Sequence, residues 1–132
     1  MNARSHFAAA ALVVLTTFSA PSLALANEGI QGRWAGPGTV ILPSGAKEKA
    51  RCRASFRQAT GRSFTMEAVC ATASLRVAQT ARVQQIGTNR YSGEFFNSDF
   101  NLSGIINLTQ SGNRLTAALR GGGGTAFFSL SR

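Results

Sequence analysis

The chain is poor in the groups on which most protein chemistry depends. It holds one histidine, His6, and five acidic residues, Glu28, Glu48, Glu67, Glu94 and Asp99, against fourteen lysines and arginines. Tryptophan and tyrosine occur once each, cysteine twice and proline three times. No apolar run reaches the ~20 residues of a membrane-spanning helix, and no segment sustains the 3.6-residue apolar period of an amphipathic one. Each shortage removes a class of protein from consideration.

Histidine is the first. Arg4 leads into an apolar run from Phe7 to Phe18, followed by Pro21 and then Ala24-Leu25-Ala26. That is the layout of a secretory signal peptide with an A-x-A cleavage site. Residues 1–26 are expected to be removed, leaving a mature domain over 27–132 that begins at Asn27 and contains no membrane span. The alternative, a single-span anchor, suffers from the shortness of the run. No cysteine stands beside the cleavage site to carry a lipid, so a periplasmic or secreted location is expected.

His6 leaves with the leader, and a chain without imidazole cannot assemble a Ser/His/Asp or Cys/His nucleophile. It also lacks the commonest metal ligand. No metal and no cofactor are called for. Among the carboxylates, Glu94 and Asp99 flank one tight turn and are the pair best able to approach each other, as the ~5–9.5 Å separation of a glycosidase requires. Turn acids are commonplace, so no catalytic residue is assigned and a non-enzymatic protein is expected. The run Gly121 to Gly124 has no following helix or Lys-Ser/Thr, which separates it from a phosphate loop and leaves a hairpin connection.

The two thiols, Cys52 and Cys70, are expected to join in an oxidising compartment. The bridge would close a loop worth about 3 kcal/mol in the chain-entropy model. A C-x17-C spacing without companion ligands is a poor zinc site.

What remains reads as short alternating segments separated by turn residues, the pattern of an all-β protein. Gly32 to Leu42 puts Trp34, Val40 and Leu42 on one parity, and "PSG" at 43–45 turns the chain. Lys47 to Gln58, "KEKARCRASFRQ", follows. After Thr60-Gly61 come Ser63 to Ala71 and then Leu75 to Gln84, whose alanines and glutamines also allow a helix. Arg90 to Phe96, Phe100 to Leu108, Arg114 to Arg120 and Thr125 to Leu130 complete eight segments. In the sixth, Phe100, Leu102, Gly104, Ile106 and Leu108 share one side. Eight strands with one apolar face each cannot hide it in a flat sheet, so a small antiparallel up-and-down barrel is expected. An outer-membrane barrel would need an apolar exterior, which the cations of the second strand deny.

That second strand carries Lys47, Lys49, Arg51, Arg53 and Arg57 on one parity and Ala50, Cys52, Ala54 and Phe56 on the other. Successive side chains of a strand face opposite ways, so the cations should face water and the others the core. Pairing the second and third strands about Gly61 sets Phe56 opposite Met66, Ala54 opposite Ala68 and Cys52 opposite Cys70. One register satisfies parity, turn and disulfide together. With thirteen cations against five acids the expected mature chain carries about +8, and the cationic row is a candidate anion-binding surface for an anionic envelope component, lipopolysaccharide or acidic polysaccharide. Its plainer reading is a solvated strand that discourages aggregation. Nucleic acid is disfavoured, because no aromatic residues interleave with the cations.

The "GRW" of Gly32 to Trp34, at the start of an eight-stranded meander, resembles the opening of the calycin superfamily, the lipocalin and avidin relatives. That resemblance implies that Trp34 packs at the barrel base beneath a basic residue from a late strand, Arg120 or Arg132. "GRWAGPGTVILPSG", "RCRASF", "VCA" and "YSGEF" together are similar to small exported proteins of alphaproteobacteria, rhizobia and relatives, and that likeness implies fold and location without an activity. Where a second tryptophan is expected, this chain has Phe95 and Phe96. A calycin-like barrel also allows a small apolar ligand inside, because Ala50, Ala54, Ala68, Ala81, Gly93, Ala117 and Ala126 fall on inward positions. Trp34, Phe56, Phe64, Met66, Phe100 and Phe128 are expected to fill the same space. A periplasmic protease inhibitor and a structural envelope protein are the remaining alternatives, the former by architectural analogy.

Overall fold

Alternating burial runs through every segment after residue 31 and closes on itself. In a computed structural model, which describes residues 3, 8–20 and 29–132, the chain forms eight strands: β1 Gly32–Ile41, β2 Lys47–Thr60, β3 Ser63–Ala71, β4 Arg76–Gly87, β5 Arg90–Asn97, β6 Leu102–Ser111, β7 Arg114–Gly121 and β8 Gly124–Ser131. Each pairs antiparallel with the next, and β1 also pairs with β8, giving a closed up-and-down barrel. The expected cleavage site at 24–26, the new terminus Asn27, and Arg4, His6, Phe7, Pro21 and Glu28 lie outside the described residues. Residues 8–20 form neither helix nor strand. Among the described residues no helix is long and apolar enough to cross a membrane.

The β2–β3 pairing has the register that the disulfide requires. Cys52 stands opposite Cys70, Ala54 opposite Ala68 and Phe56 opposite Met66, and Cys52 and Cys70 are bonded. A one-residue irregularity between Gln58 and Thr60 takes up the slack before the turn. β4 is a strand, paired along its length with β3 and β5.

Three expectations need correction. Phe100 belongs to the β5–β6 turn and is 55% exposed, because Asn101 has φ +48° and a left-handed residue breaks the extended geometry that carries parity along a strand. Leu75 sits in the β3–β4 turn, where its carbonyl accepts the Thr72 N–H, and it is exposed. Leu42 lies past the end of β1, in a turn in which its carbonyl accepts the Gly45 N–H at 2.8 Å.

Inward side chains form one core. Trp34, Phe56, Phe64, Met66, Tyr91, Phe95 and Phe128 supply its bulk, with Ala50, Ala54, Ala68, Ala81 and Ala117 between them. Gly93 and Ala126 are half-buried. Phe64 meets Tyr91 edge to face at 5.5 Å. Large rings need small neighbours in so narrow a barrel, and Gly38 shows why: a Cβ there would strike the Phe128 ring and the Phe127 carbonyl. The β7–β8 hairpin turns on Gly122 and Gly123, with φ +60° and +81°, the two-residue connection that favours glycine.

Candidate functional site

The barrel has two unlike ends and one unlike face. Turns 61–62, 88–89 and 112–113 lie at one end with both termini of the barrel chain, and this is the base; the other turns surround the mouth. Ile30, fully buried, plugs the base. The indole N–H of Trp34 donates to the Ile30 carbonyl at 2.8 Å. The Arg132 guanidinium lies over the Trp34 ring, 4.4 Å from its centroid, and donates to the carbonyls of Gly29 and Gln31, each at 3.0 Å. Buried Gln110 donates from Nε2 to the Gly29 carbonyl at 2.9 Å and to the Gly112 carbonyl at 3.1 Å. Of the two arginines considered as a cover for Trp34, Arg132 occupies that place. Arg120 stands near the mouth, exposed, between Ile105 and Thr125. The base is a structural closure, in which Trp34, Gln110 and Arg132 hold the entering chain.

At the mouth the inward positions are less completely covered. Val40, Val77, Leu102 and Ala126 pack on the core while remaining partly exposed, and Glu48 and Gln79 share this rim. Gln79 Nε2 lies 3.6 Å from Cys70 Sγ. Buried Asn97 accepts the Asp99 N–H at 3.0 Å. Asp99 in turn accepts the Ala78 N–H at 3.2 Å, while Glu94 points outward beside Arg82 of β4. The two carboxylates therefore have separate surroundings, one tied into a turn and one on the outer wall. Among the described residues no group of three or more His, Cys, Asp or Glu is arranged to hold a metal.

The outer face of β2 presents Lys47, Lys49, Arg51, Arg53 and Arg57, all exposed, with Ala50, Cys52, Ala54 and Phe56 buried between them. Along Lys47 to Arg53 the neighbouring outward residues of β1 are uncharged, Ile41, Thr39, Pro37 and Ala35 standing beside Lys47, Lys49, Arg51 and Arg53 in that order, while charged Arg33 of β1 and Glu67 of β3 flank Ser55. On the other side Ala71 and Val69 of β3 stand beside Arg51 and Arg53. Arg57 reaches Glu67 at 4.0 Å, both more than 70% exposed, a contact that water screens heavily. Among the described residues Lys47, Lys49, Arg51 and Arg53 have no carboxylate partner. A shallow, open depression of about 630 Å³ crosses the row at Arg53 and Ser55, with Arg33, Ala35, Glu67, Val69 and Ala78 also in its lining. Small side chains there leave room above the backbone.

Gln110 and Ile30 were not singled out from the sequence. Gln110 continues the inward parity of Ile106 and Leu108, so a buried polar residue was detectable, whereas its partner lies 81 residues away.

No protein-family model matches the chain, and the search of curated proteins found no match. Solved structures do match. A redesigned β-barrel, mFAP1, bound to DFHBI has a TM-score of 0.65 at 13% identity, covering 77% of this chain and 94% of that one. A second redesigned barrel, mFAP0, bound to DFHBI gives 0.63 at 14% identity, covering 77% and 97%. A de novo fluorescence-activating β-barrel gives 0.61 at 13% identity, covering 79% and 94%. At such identities the likeness is one of fold.

Proposed function

We propose that the protein is an exported, non-enzymatic binding module that engages an anionic partner through the outer face of β2. The observation that carries this reading is the row of outward cations, whose stretch from Lys47 to Arg53 has only uncharged partners on β1 and β3, one acid, Glu67, standing beside Ser55 towards the Arg57 end. A row that served only solubility would do as well interspersed with carboxylates, and this one concentrates a single sign. Phosphate- or carboxylate-bearing envelope components, lipopolysaccharide or acidic polysaccharide, have the complementary chemistry. The short turns of the barrel support a surface over a protruding inhibitory loop, since none exceeds the five residues 42–46.

A second reading has its own observation. Val40, Val77, Leu102 and Ala126 line a partly open mouth, the place where β-barrels take small ligands, and two of the designed barrels of similar fold are bound to DFHBI. Under this reading a small apolar molecule enters between β1, β4, β6 and β8. The bulk of the core below the rim limits it to a shallow site.

The first reading is tested by replacing Lys49, Arg51, Arg53 and Arg57 together with glutamine. Folding should be nearly unchanged, because exposed charges contribute little singly. Affinity for dextran sulfate or lipopolysaccharide should fall, and the slope of log affinity against log salt should drop by about three, since fewer counterions are exchanged. Equal binding with an unchanged slope would refute it.

A further inference from the structure

Three adjacent strands, β8, β1 and β2, form an outer face with no acid on it. Outward positions carry Lys47, Lys49, Arg51, Arg53 and Arg57 on β2, Arg33, Ala35, Pro37, Thr39 and Ile41 on β1, and Thr125, Phe127, Ser129 and Ser131 on β8. The one large apolar side chain among the outward residues of β8 is Phe127, which is 50% exposed. Its position is specific. Phe127 pairs with Thr39, and Thr39 pairs with Lys49, so ring, hydroxyl and ammonium lie in one row across the strands. Two strand spacings, about 10 Å, separate the backbones of Phe127 and Lys49. Ile41 stands one outward step away, between Lys47 and Thr125, and half-exposed Leu42 follows it at the rim.

We infer that this face docks on an anionic lipid surface, with Phe127 entering the boundary between headgroups and acyl chains while the β2 cations meet headgroup phosphates. The inference rests on the anion-binding reading of β2 and adds the apolar half of the site. A water-soluble polyanion has no use for an exposed phenyl ring two strands from the cations. A lipid interface rewards the combination, because apolar insertion and attraction to anionic headgroups add. Barrel curvature is compatible with simultaneous contact. Neighbouring strands of an eight-stranded barrel are turned by about 45°, and the side chains on the ridge between them, Ala35, Pro37 and Thr39, are short. Phe127 on one flank and the long Lys and Arg side chains on the other can therefore reach a common plane. Exposed phenylalanines occur singly on many surfaces, and Phe96, also exposed, lies on β5 away from this face and serves as the internal comparison.

The test is co-sedimentation of the purified protein with vesicles of phosphatidylcholine alone or mixed with phosphatidylglycerol, alongside binding to lipid-free dextran sulfate. The protein should sediment with the anionic vesicles and stay in solution with the neutral ones. Phe127→Ser should weaken vesicle binding roughly fivefold to tenfold and leave dextran sulfate binding unchanged, while Phe96→Ser should alter neither. Phe127→Trp supplies a second readout, a blue shift of its emission on anionic vesicles. Dextran sulfate binding without vesicle binding, vesicle binding indifferent to Phe127→Ser, or a Phe127→Trp emission that does not move, would overturn the lipid inference and leave the anion-binding reading standing. Failure to bind either anion would overturn both.

Discussion

Arg132 is the residue whose removal should be felt furthest from its own position. Its guanidinium covers the face of Trp34 and binds two carbonyls of the segment that enters the barrel. Hydrogen bonds from a charged donor and a cation–π contact at a partly exposed site together amount to about 1–3 kcal/mol. Arg132→Ala should therefore lower the free energy of unfolding in urea by that order, with Trp34 emission moving to the red as its cover is lost. Arg132→Lys should recover little, because a point charge cannot both stack on the ring and span two acceptors. Arg120→Ala, altering an exposed position at the other end of the barrel, should stay within about 0.5 kcal/mol. An equal loss from the two alanine variants would show that the base closure adds nothing beyond ordinary surface effects.

Among the elements, β2 makes the clearest division of labour, since neighbouring residues on one strand do opposite work. Ala54 is buried between Trp34 and Ala68, so Ala54→Arg forces a guanidinium among packed rings and should cost more than about 4 kcal/mol, most or all of the stability at the lower end of the ~5–15 kcal/mol range for a domain. Arg53→Gln should cost less than about 0.5 kcal/mol. Thermal unfolding of the two variants checks the pair, and tolerance of Ala54→Arg alongside loss from Arg53→Gln would mean that the strand is turned the other way. This alternation was legible in the residues because the side-chain period, the Gly61 turn and the cysteine pair constrain one register independently. The sixth strand was less legible at its start. Phe100 continues the apolar period on paper, but nothing in the period reveals that Asn101 adopts a left-handed conformation and ends it. Leu42 and Leu75 fail the same way, as apolar residues whose carbonyls are used in turns.

For the whole molecule, closure creates the features that local reading could not reach. The β1–β8 seam joins segments nearly ninety residues apart, Thr39 with Phe127 among them, and no local signal encodes that register. It sets Phe127 beside the cationic face and brings Arg132 back to Trp34. The cationic row itself was visible from its spacing, whereas the uncharged partners of Lys47 to Arg53 depend on which strands flank β2. Closure also separates the two candidate binding regions, the outer face of β2 and the rim lined by Val77 and Leu102. The measurement that tests an outer-face function most directly is a titration of the isotope-labelled protein with short dextran sulfate, followed by backbone amide shifts. Binding through β2 predicts shifts concentrated at residues 47–57 and along β1, fading as salt is raised, with Val77 and Leu102 unmoved. Shifts concentrated at Val77, Leu102 and the facing residues of the mouth, with β2 silent, would contradict it.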